Sequence, residues 1–408
     1  IGINRNASHA IVAIAIQNRP TASIFELNKT NRSVDMVPTF DISPEFFVSS
    51  VALAENGLHT AIGGKEALRV YQENNHGSLI QKGRDVAIEE GLTAIDLSLS
   101  QDGDTLAFAA LNYTESDYLN LAVNYVAVYT WDNASSIWKE AFQTKQSIPK
   151  TIDMDNNGGR VVISYFFHEI DGYAQVTKLY QYREGTSSWE EEGVRFRGSF
   201  GKISGNGERI ITFLAIDDNN TEVSVYEQQN EVQSGWDRVG NGIIVRKNDN
   251  YDSSINYLGN RFSVKNGTDV ESMMALFEEV DSEWEQVLQT PIEETLQSAV
   301  LDSRGLNMIR LVEKNGEHFV YVLNLWNEKC PTSNFMTCQA GEQHEFSLFN
   351  CKSKCKKCEN GFFSNSNGIC TECPIGEYQN ESSQVDCKPC PEGLSTFSVG
   401  SPSVEFCR

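Results

Sequence analysis

Along the first three-quarters of the chain, apolar positions fall in short alternating or continuous runs, and turn pairs built from Asn, Asp and Gly separate them. That spacing predicts β-strands joined by hairpins rather than helices. One unit recurs: an alternating run, a turn pair, a second apolar run, a variable hairpin and a third run of the type Val-x-Val-Tyr. Its clearest copy reads Ile95-Asp96-Leu97-Ser98-Leu99-Ser100, the turn Asp102-Gly103, residues 105–109, then Val126-Ala127-Val128-Tyr129. The preceding copy has residues 48–53, the turn Asn56-Gly57, residues 60–62 and Leu68-Arg69-Val70-Tyr71. Later copies turn at Asn157-Gly158, Asn206-Gly207, Gly259-Asn260 and Arg304-Gly305, with third runs at 177–182, 223–226, 273–277 and 319–323.

From Gly57 onward the turn glycines are 46, 55, 49, 52 and 46 residues apart. A first unit without the glycine is placed near Asn6, with runs at 9–16 and 23–27, which makes seven. Several units add a fourth run opened by tryptophan, at Trp138, Trp189, Trp236 and Trp284. Four antiparallel strands per unit of about 50 residues predict an all-β, seven-bladed β-propeller over residues 1–329. The last unit shows three strands before Cys330, so its outer strand comes from elsewhere or is absent, and six complete blades plus a shared one is the alternative count. The tryptophans and the Val-x-Val-Tyr strands read as packing between blades, not as a ligand cage.

Cysteine placement divides the chain. All ten cysteines, Cys330, Cys338, Cys351, Cys355, Cys358, Cys370, Cys373, Cys387, Cys390 and Cys407, lie in residues 330–408. A polar segment this short cannot bury enough apolar surface to fold unaided, so an even cysteine count reads as a disulfide framework and an oxidising compartment. A structural zinc site on the Cys-x2-Cys pairs is the alternative. Connectivity stays open at this level. Eight Asn-x-Ser/Thr sequons, at Asn6, Asn28, Asn31, Asn112, Asn133, Asn219, Asn266 and Asn380, favour a secreted glycoprotein. The chain starts at Ile1, and an upstream signal peptide is expected. The formal charge of −23 repels phosphate backbones and anionic headgroups, which argues against a nucleic-acid partner. The cysteine-rich part holds six basic and nine acidic groups, so most of that charge belongs to the repeats. The longest clean apolar run, residues 10–16, is far too short to span a bilayer, so no membrane insertion is expected within the chain.

Two resemblances sharpen this picture. The stretch Ser98-Leu99-Ser100-Gln101-Asp102-Gly103-Asp104-Thr105-Leu106-Ala107-Phe108-Ala109, with Val-x-Val-Tyr and a Trp-opened strand after it, resembles the propeller repeats of extracellular proteins from diatoms and related protists. Those are distantly similar to integrin α-subunit propellers, and the resemblance covers about residues 1–329. It implies a fold and a cell-surface setting, and no reaction. Trp131-Asp132 after Val128-Tyr129 matches the intracellular tryptophan-aspartate repeat, but in one unit alone. Cys373-Pro374-Ile375-Gly376-Glu377-Tyr378 and Cys390-Pro391-Glu392-Gly393-Leu394-Ser395 repeat one motif, which resembles the ephrin-receptor-like cysteine-rich repeats, related in style to epidermal growth factor modules. By that analogy Cys373 pairs with Cys387 and Cys390 with Cys407.

No catalytic constellation emerges. The histidines at 9, 59, 76, 168, 318 and 344 are scattered, and the phosphate-loop, dinucleotide and nucleophile-elbow patterns are absent. The nearest enzymatic likeness is Ser98-x-x-x-Asp102-Gly103, similar to the turn boxes of sialidases but without the closing aromatic. Asp153-Met154-Asp155-Asn156-Asn157-Gly158 is the candidate calcium loop, with Asp153, Asp155 and Asn157 as alternating oxygen ligands. The competing reading is a hairpin turn rich in Asp and Asn for its backbone geometry. Acidic runs at Glu190-Glu191-Glu192 and around Glu278-Glu279 read as charged blade edges, or as loose bridges to divalent cations. The expected protein is a secreted or cell-surface, non-enzymatic adhesion or structural module. Its propeller presents loops to extracellular proteins, glycans or other matrix and appendage subunits, self-assembly included, and its cysteine-rich stalk acts as spacer or joint. The alternatives are a secreted propeller glycoside hydrolase and a receptor ectodomain whose membrane span lies outside this chain.

Overall fold

The alternating runs form strands wherever the structure is described. The computed structural model describes residues 2–3, 9–16, 19–28, 33–36, 48–74, 78–112, 124–145, 148–169, 172–229, 235–246, 253–266, 273–291, 295–314, 317–330, 336, 338–364, 370–391, 393–396 and 399–408. Two units result, Ile1–Asn324 and Leu325–Arg408. The short helix Leu325–Lys329 opens the second.

In the first unit every sheet is antiparallel and follows chain order. The first sheet holds Gly2–Ile3, His9–Ile16, Arg19–Asn28 and Ser33–Met36. The second holds Val48–Leu53, His59–Gly64, Ala67–Glu73 and Leu79–Gln81, with the added strand Val86–Ala87 on Ala67–Glu73. The third is Thr93–Leu99, Thr105–Leu111, Tyr125–Asp132 and Ile137–Thr144, and the fourth is Ile148–Met154, Arg160–Glu169, Gly172–Arg183 and Ser188–Arg197. The fifth is Ser199–Ile203, Arg209–Ala215, Asn220–Gln228 and Trp236–Arg246, and the sixth is Ser253–Ile255, Arg261–Asn266, Met273–Val280 and Glu283–Pro291. The last sheet has three strands among the described residues, Thr295–Leu301, Asn307–Lys314 and Glu317–Asn324.

First strands of neighbouring sheets lie against one another, and Gly2–Ile3 meets Thr295–Leu301, so the sheets form a propeller with their first strands innermost. The expectation of seven blades is corrected: among the described residues six sheets are complete, and the last lacks an outer strand because the chain passes from Asn324 straight into a helix. The first unit's turn near Asn6 falls outside the described residues.

One device recurs from sheet to sheet. In the third to seventh sheets the turn begins with a side chain that accepts the N–H five residues on: Ser100 Oγ from Thr105, Asp155 Oδ1 from Arg160, Ser204 Oγ from Arg209, Asn256 Oδ1 from Arg261 and Asp302 Oδ1 from Asn307, all at 2.9–3.0 Å. The main chain of one turn then bonds the next turn. Asn56 N–H donates to Gln101 O (3.3 Å), Gln101 to Asn156 (2.7 Å), Asn156 to Gly205 (2.9 Å), Asn206 to Tyr257 (3.0 Å) and Tyr257 to Ser303 (2.8 Å). The turn glycine adopts positive φ, +71° at Gly103, +70° at Gly158, +75° at Gly207, +71° at Gly259 and +65° at Gly305. It also lies against the residue two places after the glycine in the preceding turn: Gly103 on His59, Gly158 on Thr105, Gly207 on Arg160, Gly259 on Arg209 and Gly305 on Arg261. Three of those partners are arginines that donate Nη1 to a carbonyl of the neighbouring turn, Arg160 to Gly207 (2.8 Å), Arg209 to Gly259 (3.5 Å) and Arg261 to Arg304 (3.2 Å).

Aromatic packing seals the seams further out. Phe142 of the third sheet's outer strand meets Tyr180 and Trp189 of the fourth, with centroids at 5.0 and 6.3 Å. Phe196 of the fourth meets Tyr226 and Trp236 of the fifth at 4.9 and 5.5 Å. Trp138 Nε1 donates to Lys82 O (2.9 Å) and Trp284 Nε1 to Val239 O (3.1 Å), each a carbonyl of the preceding sheet. Lys82 is buried, with its ammonium over the rings of Trp131 and Trp138 and bonded to Gly103 O and Asp104. Fully buried Phe108, Tyr165, Phe213 and Phe262 contribute about 1.5–3 kcal/mol each by leaving water. The outer strands of the third to sixth sheets carry charges, among them Lys139 and Glu140, residues 190–192, Asp237 and Glu285.

Replacing Gly103 by Ala tests the turn device. A Cβ there would lie 2.2 Å from His59 Cγ at a φ of +71°, whereas one at Gly185 would meet nothing within 4 Å. Chemical denaturation should show Gly103→Ala destabilised by about 2–4 kcal/mol and Gly185→Ala within about 0.5 kcal/mol of the parent.

Candidate functional site

The turn proposed for calcium is put to another use. Asp155 Oδ1 accepts the N–H groups of Gly159 and Arg160, both at 2.9 Å, which locks its own hairpin. Asp153, on the inner strand Ile148–Met154, faces the other way, and its Oδ2 accepts the N–H of Ile203 in the fifth sheet at 2.9 Å. Asn157 is exposed at the turn. The carboxylates are thus bonded to main chain in two different directions, and the sheets that place Ser or Asn at the Asp155 position show that the bond, not the charge, is the repeated element.

Asp96 repeats the Asp153 role one sheet earlier, accepting from Ile152 at 3.0 Å, and Ser254 Oγ accepts from Leu301 at 3.0 Å. Desolvation pushes the Asp96 and Asp153 carboxyls above their ordinary values, and the Lys202 ammonium opposes that rise. Asp155 is pushed up to about 6, again by burial. His59 is held below its ordinary value by burial and then by the Lys82 ammonium, 3.5 Å from its Nε2. Its Nδ1 lies 3.1 Å from Asn56 Nδ2, so the buried ring serves the seam.

The acidic runs are already engaged. Glu191 pairs with Lys178 (3.0 Å), Glu192 with Arg183 (3.0 Å) and Glu278 with Arg261 (3.2 Å), while Glu279 pairs with Arg209. Arg261 and Glu278 are both buried, and desolvation lowers the Arg261 pKa. Among the described residues one group of His, Cys, Asp and Glu converges as a metal site would, namely Cys338, Glu342 and Cys355, and its two sulfurs are joined to each other.

All ten cysteines form disulfides: Cys330–Cys351, Cys338–Cys355, Cys358–Cys370, Cys373–Cys387 and Cys390–Cys407. Repeats begin at Cys338, Cys358, Cys373 and Cys390, and one hydrogen-bond pattern stacks them. The first-cysteine N–H donates to the carbonyl of the glycine in the preceding repeat, Cys358 to Gly341 (3.0 Å), Cys373 to Gly361 (2.9 Å) and Cys390 to Gly376 (2.8 Å). Ser383 N–H donates back to Cys358 O (2.8 Å) and Gly400 N–H to Cys373 O (2.9 Å). Those three glycines hold φ of +87°, +86° and +89°, where side chains are strained. Buried Gln379 bonds Asp386 O at 2.6 Å and Glu381 N at 3.1 Å, and takes the place of a core in the third repeat.

Of the sequons, Asn133, Asn219 and Asn380 are exposed, and Asn112 is half-buried. Asn133 Oδ1 accepts from Trp131 Nε1 (2.9 Å) and Asn380 Oδ1 from Lys388 Nζ (2.7 Å). Asn6 and Asn31 lie outside the described residues, as do the side chains of Asn28 and Asn266. His344 Nε2 accepts the Cys338 N–H at 2.8 Å, and His76 and the side chains of His9, His168 and His318 are outside the described set.

Residues 361–407 match the family described as tyrosine-protein kinase ephrin type A/B receptor-like. Curated relatives share short stretches. Mouse thyroglobulin is 43% identical over 53 residues, which is 13% of this chain and 2% of that protein. The mouse signal peptide, CUB and EGF-like domain-containing protein 2 is 41% identical over 66 residues, 15% of this chain and 6% of that protein. The rat sushi, von Willebrand factor type A, EGF and pentraxin domain-containing protein 1 is 35% identical over 65 residues, 16% of this chain and 2% of that protein. The chain therefore spans 2–6% of the length of these relatives. Among solved structures, a functionally unknown protein from Desulfotomaculum acetoxidans DSM 771 is similar at TM-score 0.54 and 12% identity, covering 77% of this chain and 92% of that one. Kuenenia stuttgartiensis hydrazine synthase is similar at TM-score 0.51 and 9% identity, covering 79% and 94%. At such identities the likeness concerns the fold alone. No helix among the described residues is long and apolar enough to cross a membrane.

Asp96 and the arginines two places after the turn glycine are seam residues that the sequence reading did not single out. Arg160, Arg209 and Arg261 do recur at that offset, which is a readable signal. Asp155 supplies the test of its role. With its carboxyl raised to about 6 in the fold and at about 3.9 unfolded, its contribution is fully present below about pH 4 and is lost as pH rises through about 6. Asn, used at the equivalent Asn256, keeps the acceptor. Asp155→Asn should therefore gain on the parent by on the order of 2 kcal/mol between about pH 4 and about pH 7.5 in denaturant titrations.

Proposed function

We propose that this protein is an extracellular, non-enzymatic interaction module, in which the propeller offers its loops to protein or glycan partners and the cysteine-rich repeats serve as spacer or joint. The observation that carries the reading is the complete use of ten cysteines in five disulfides, in a segment most of which matches an ephrin-receptor-like family. Disulfides of this density persist where thiols are oxidised. The curated relatives agree in kind, since two of them carry EGF in their names. The likeness of the repeats to protist surface propellers supports the same setting.

Loops favour contact over chemistry here. The acids and histidine that titrate away from their ordinary values, His59, Asp96, Asp153 and Asp155, are bonded within turns and seams rather than gathered at a cleft. Glycans on exposed Asn133, Asn219 and Asn380 would keep those edges soluble and leave the remaining loops for partners. Calcium is not needed for the turn at Asp155, whose Oδ1 already has two donors.

Expression through a eukaryotic secretory pathway tests the proposal. Peptide-N-glycosidase treatment should convert Asn133, Asn219 and Asn380 to Asp, detected by tandem mass spectrometry, and the secreted chain should show no reaction with an alkylating agent before reduction. Free thiols together with unmodified sequons would remove the extracellular reading.

A further inference from the structure

The seam between the second and third sheets is built differently from those that follow it. Three residues before the turn glycine, where the third to seventh sheets carry the Ser, Asp or Asn that clamps the turn, the second sheet has Ala54, whose methyl accepts no hydrogen bond. Its link to the next turn, Asn56 N–H to Gln101 O at 3.3 Å, is the longest of the five turn-to-turn bonds among the described residues. Two residues after the glycine, where Arg160, Arg209 and Arg261 bring a permanent charge to later seams, it has His59. Histidine is the side chain that ordinarily changes charge near neutral pH.

His59 is 5% exposed, and both of its ring nitrogens face hydrogen-bond donors. Asn56 Oδ1 accepts the Leu58 N–H at 2.7 Å, which turns Asn56 Nδ2 toward His59 Nδ1 at 3.1 Å. The Lys82 ammonium stands 3.5 Å from Nε2. A neutral imidazole offers a lone pair to one of these donors, whereas an imidazolium carries N–H on both nitrogens and meets a donor at each. Its positive charge would also adjoin that of Lys82, which is itself buried and held by Gly103 O at 3.1 Å and by Asp104. Gly103 keeps the ring in place, packed so closely that an added Cβ would lie 2.2 Å from His59 Cγ.

Charges of both signs face the ring. Lys82 opposes its protonation, and Asp104 and Asp102 of the third sheet's turn favour it. Asp104 is paired with Lys82, and Asp102 Oδ1 accepts the Ser100 hydroxyl and the Asp104 N–H. On its own sheet His59 lies opposite Gln72, which is uncharged. Burial, the largest effect, and Lys82 prevail, so the neutral ring is the form that fits the closed seam.

We propose that the seam between the second and third sheets is an acid-released latch, closed on neutral His59 and loosened when His59 takes up a proton at mildly acidic pH. The sign follows from linkage. A histidine that binds its proton less readily in the closed form than in the open one leaves stability intact above its ordinary value, and stability is lost as pH falls below that value. Asp155 acts with the opposite sign, since its raised carboxyl strengthens its own turn as pH falls. Acid therefore loosens one seam of the ring while that next to Asp155 holds. The inference stands on the hydrogen-bond partners of His59 and does not depend on secretion or glycosylation.

Hydrogen exchange on the intact chain, read as protection factors so that the intrinsic pH dependence of exchange is removed, tests the latch. The Asn56 amide is expected to be protected at about pH 7.5 and to lose between about threefold and about thirtyfold of that protection at about pH 5, the upper figure being set by an ordinary histidine free to protonate in the open form. The Gln101 amide, which donates to Asn156 at the next seam, should lose none. His59→Gln should abolish the loss at Asn56. In the parent chain, the C2 proton of His59 should titrate by NMR with a midpoint below the ordinary 6.5. An Asn56 amide equally protected at both pH values or protected at neither, an equal loss at Gln101, an equal loss in a folded His59→Gln chain, or a His59 midpoint at or above 6.5 overturns the proposal.

Discussion

The propeller depends on the contact between a turn glycine and the residue that the preceding turn places against it. A strand can pair within its own sheet by local hairpin geometry, but a sheet of four strands exposes two faces and cannot hold its orientation alone. Here the orientation is fixed at one end of the third to seventh sheets by coupled features: a side chain that clamps the turn, main-chain bonds between neighbouring turns, and a glycine whose missing Cβ leaves room for His59, Thr105 or an arginine. Positive φ and lack of space coincide at the same residue, so no other amino acid meets both demands. Inner-strand Asp96, Asp153 and Ser254 repeat the stitching at the ring centre, and Phe142 and Phe196 repeat it with aromatic packing at the rim.

The second unit solves the same problem by covalent means. Among its described residues few apolar ones are buried, Leu325, Trp326 and Leu348 among them, and buried Cys330, Cys358, Cys373 and Cys407 stand where larger aliphatics would be in an ordinary core. The repeats still stack through periodic main-chain bonds, with glycines at positive φ accepting from the next first cysteine. Both units are therefore built by repetition, one with apolar seams and the other with disulfides that limit the unfolded chain. That division of means is what ties the cysteine-rich segment to an oxidising compartment.

Much of this was legible in the sequence. Val-x-Val-Tyr runs, Asn-Gly and Asp-Gly turns and the strands opened by Trp138, Trp189, Trp236 and Trp284 mark local geometry, and local geometry is what periodicity encodes. The seam partners were harder to see because each links positions about one repeat apart, as His59 does with Gly103, and neither residue is unusual alone. Asp153 and Asp155 left two readings open for a related reason. Alternating oxygens before a glycine suit a cation, yet they also suit main-chain N–H groups, and only the three-dimensional course of the neighbouring strand Ser199–Ile203 decides between them. The three-stranded last sheet was legible as well, since its unit shows three strands before Cys330, and among the described residues Leu325-Trp326-Asn327 continues at once as helix.

Native-state hydrogen exchange on the intact chain tests the seam most directly. The amides of Gln101, Asn156, Asn206 and Tyr257 sit in turns, where exchange is ordinarily fast, but each donates to a carbonyl of the neighbouring sheet's turn. They are predicted to exchange as slowly as the central-strand amides of Phe108 and Ile163. Exchange at the rate of exposed turns would contradict the account, since the sheets would then be held by their faces alone.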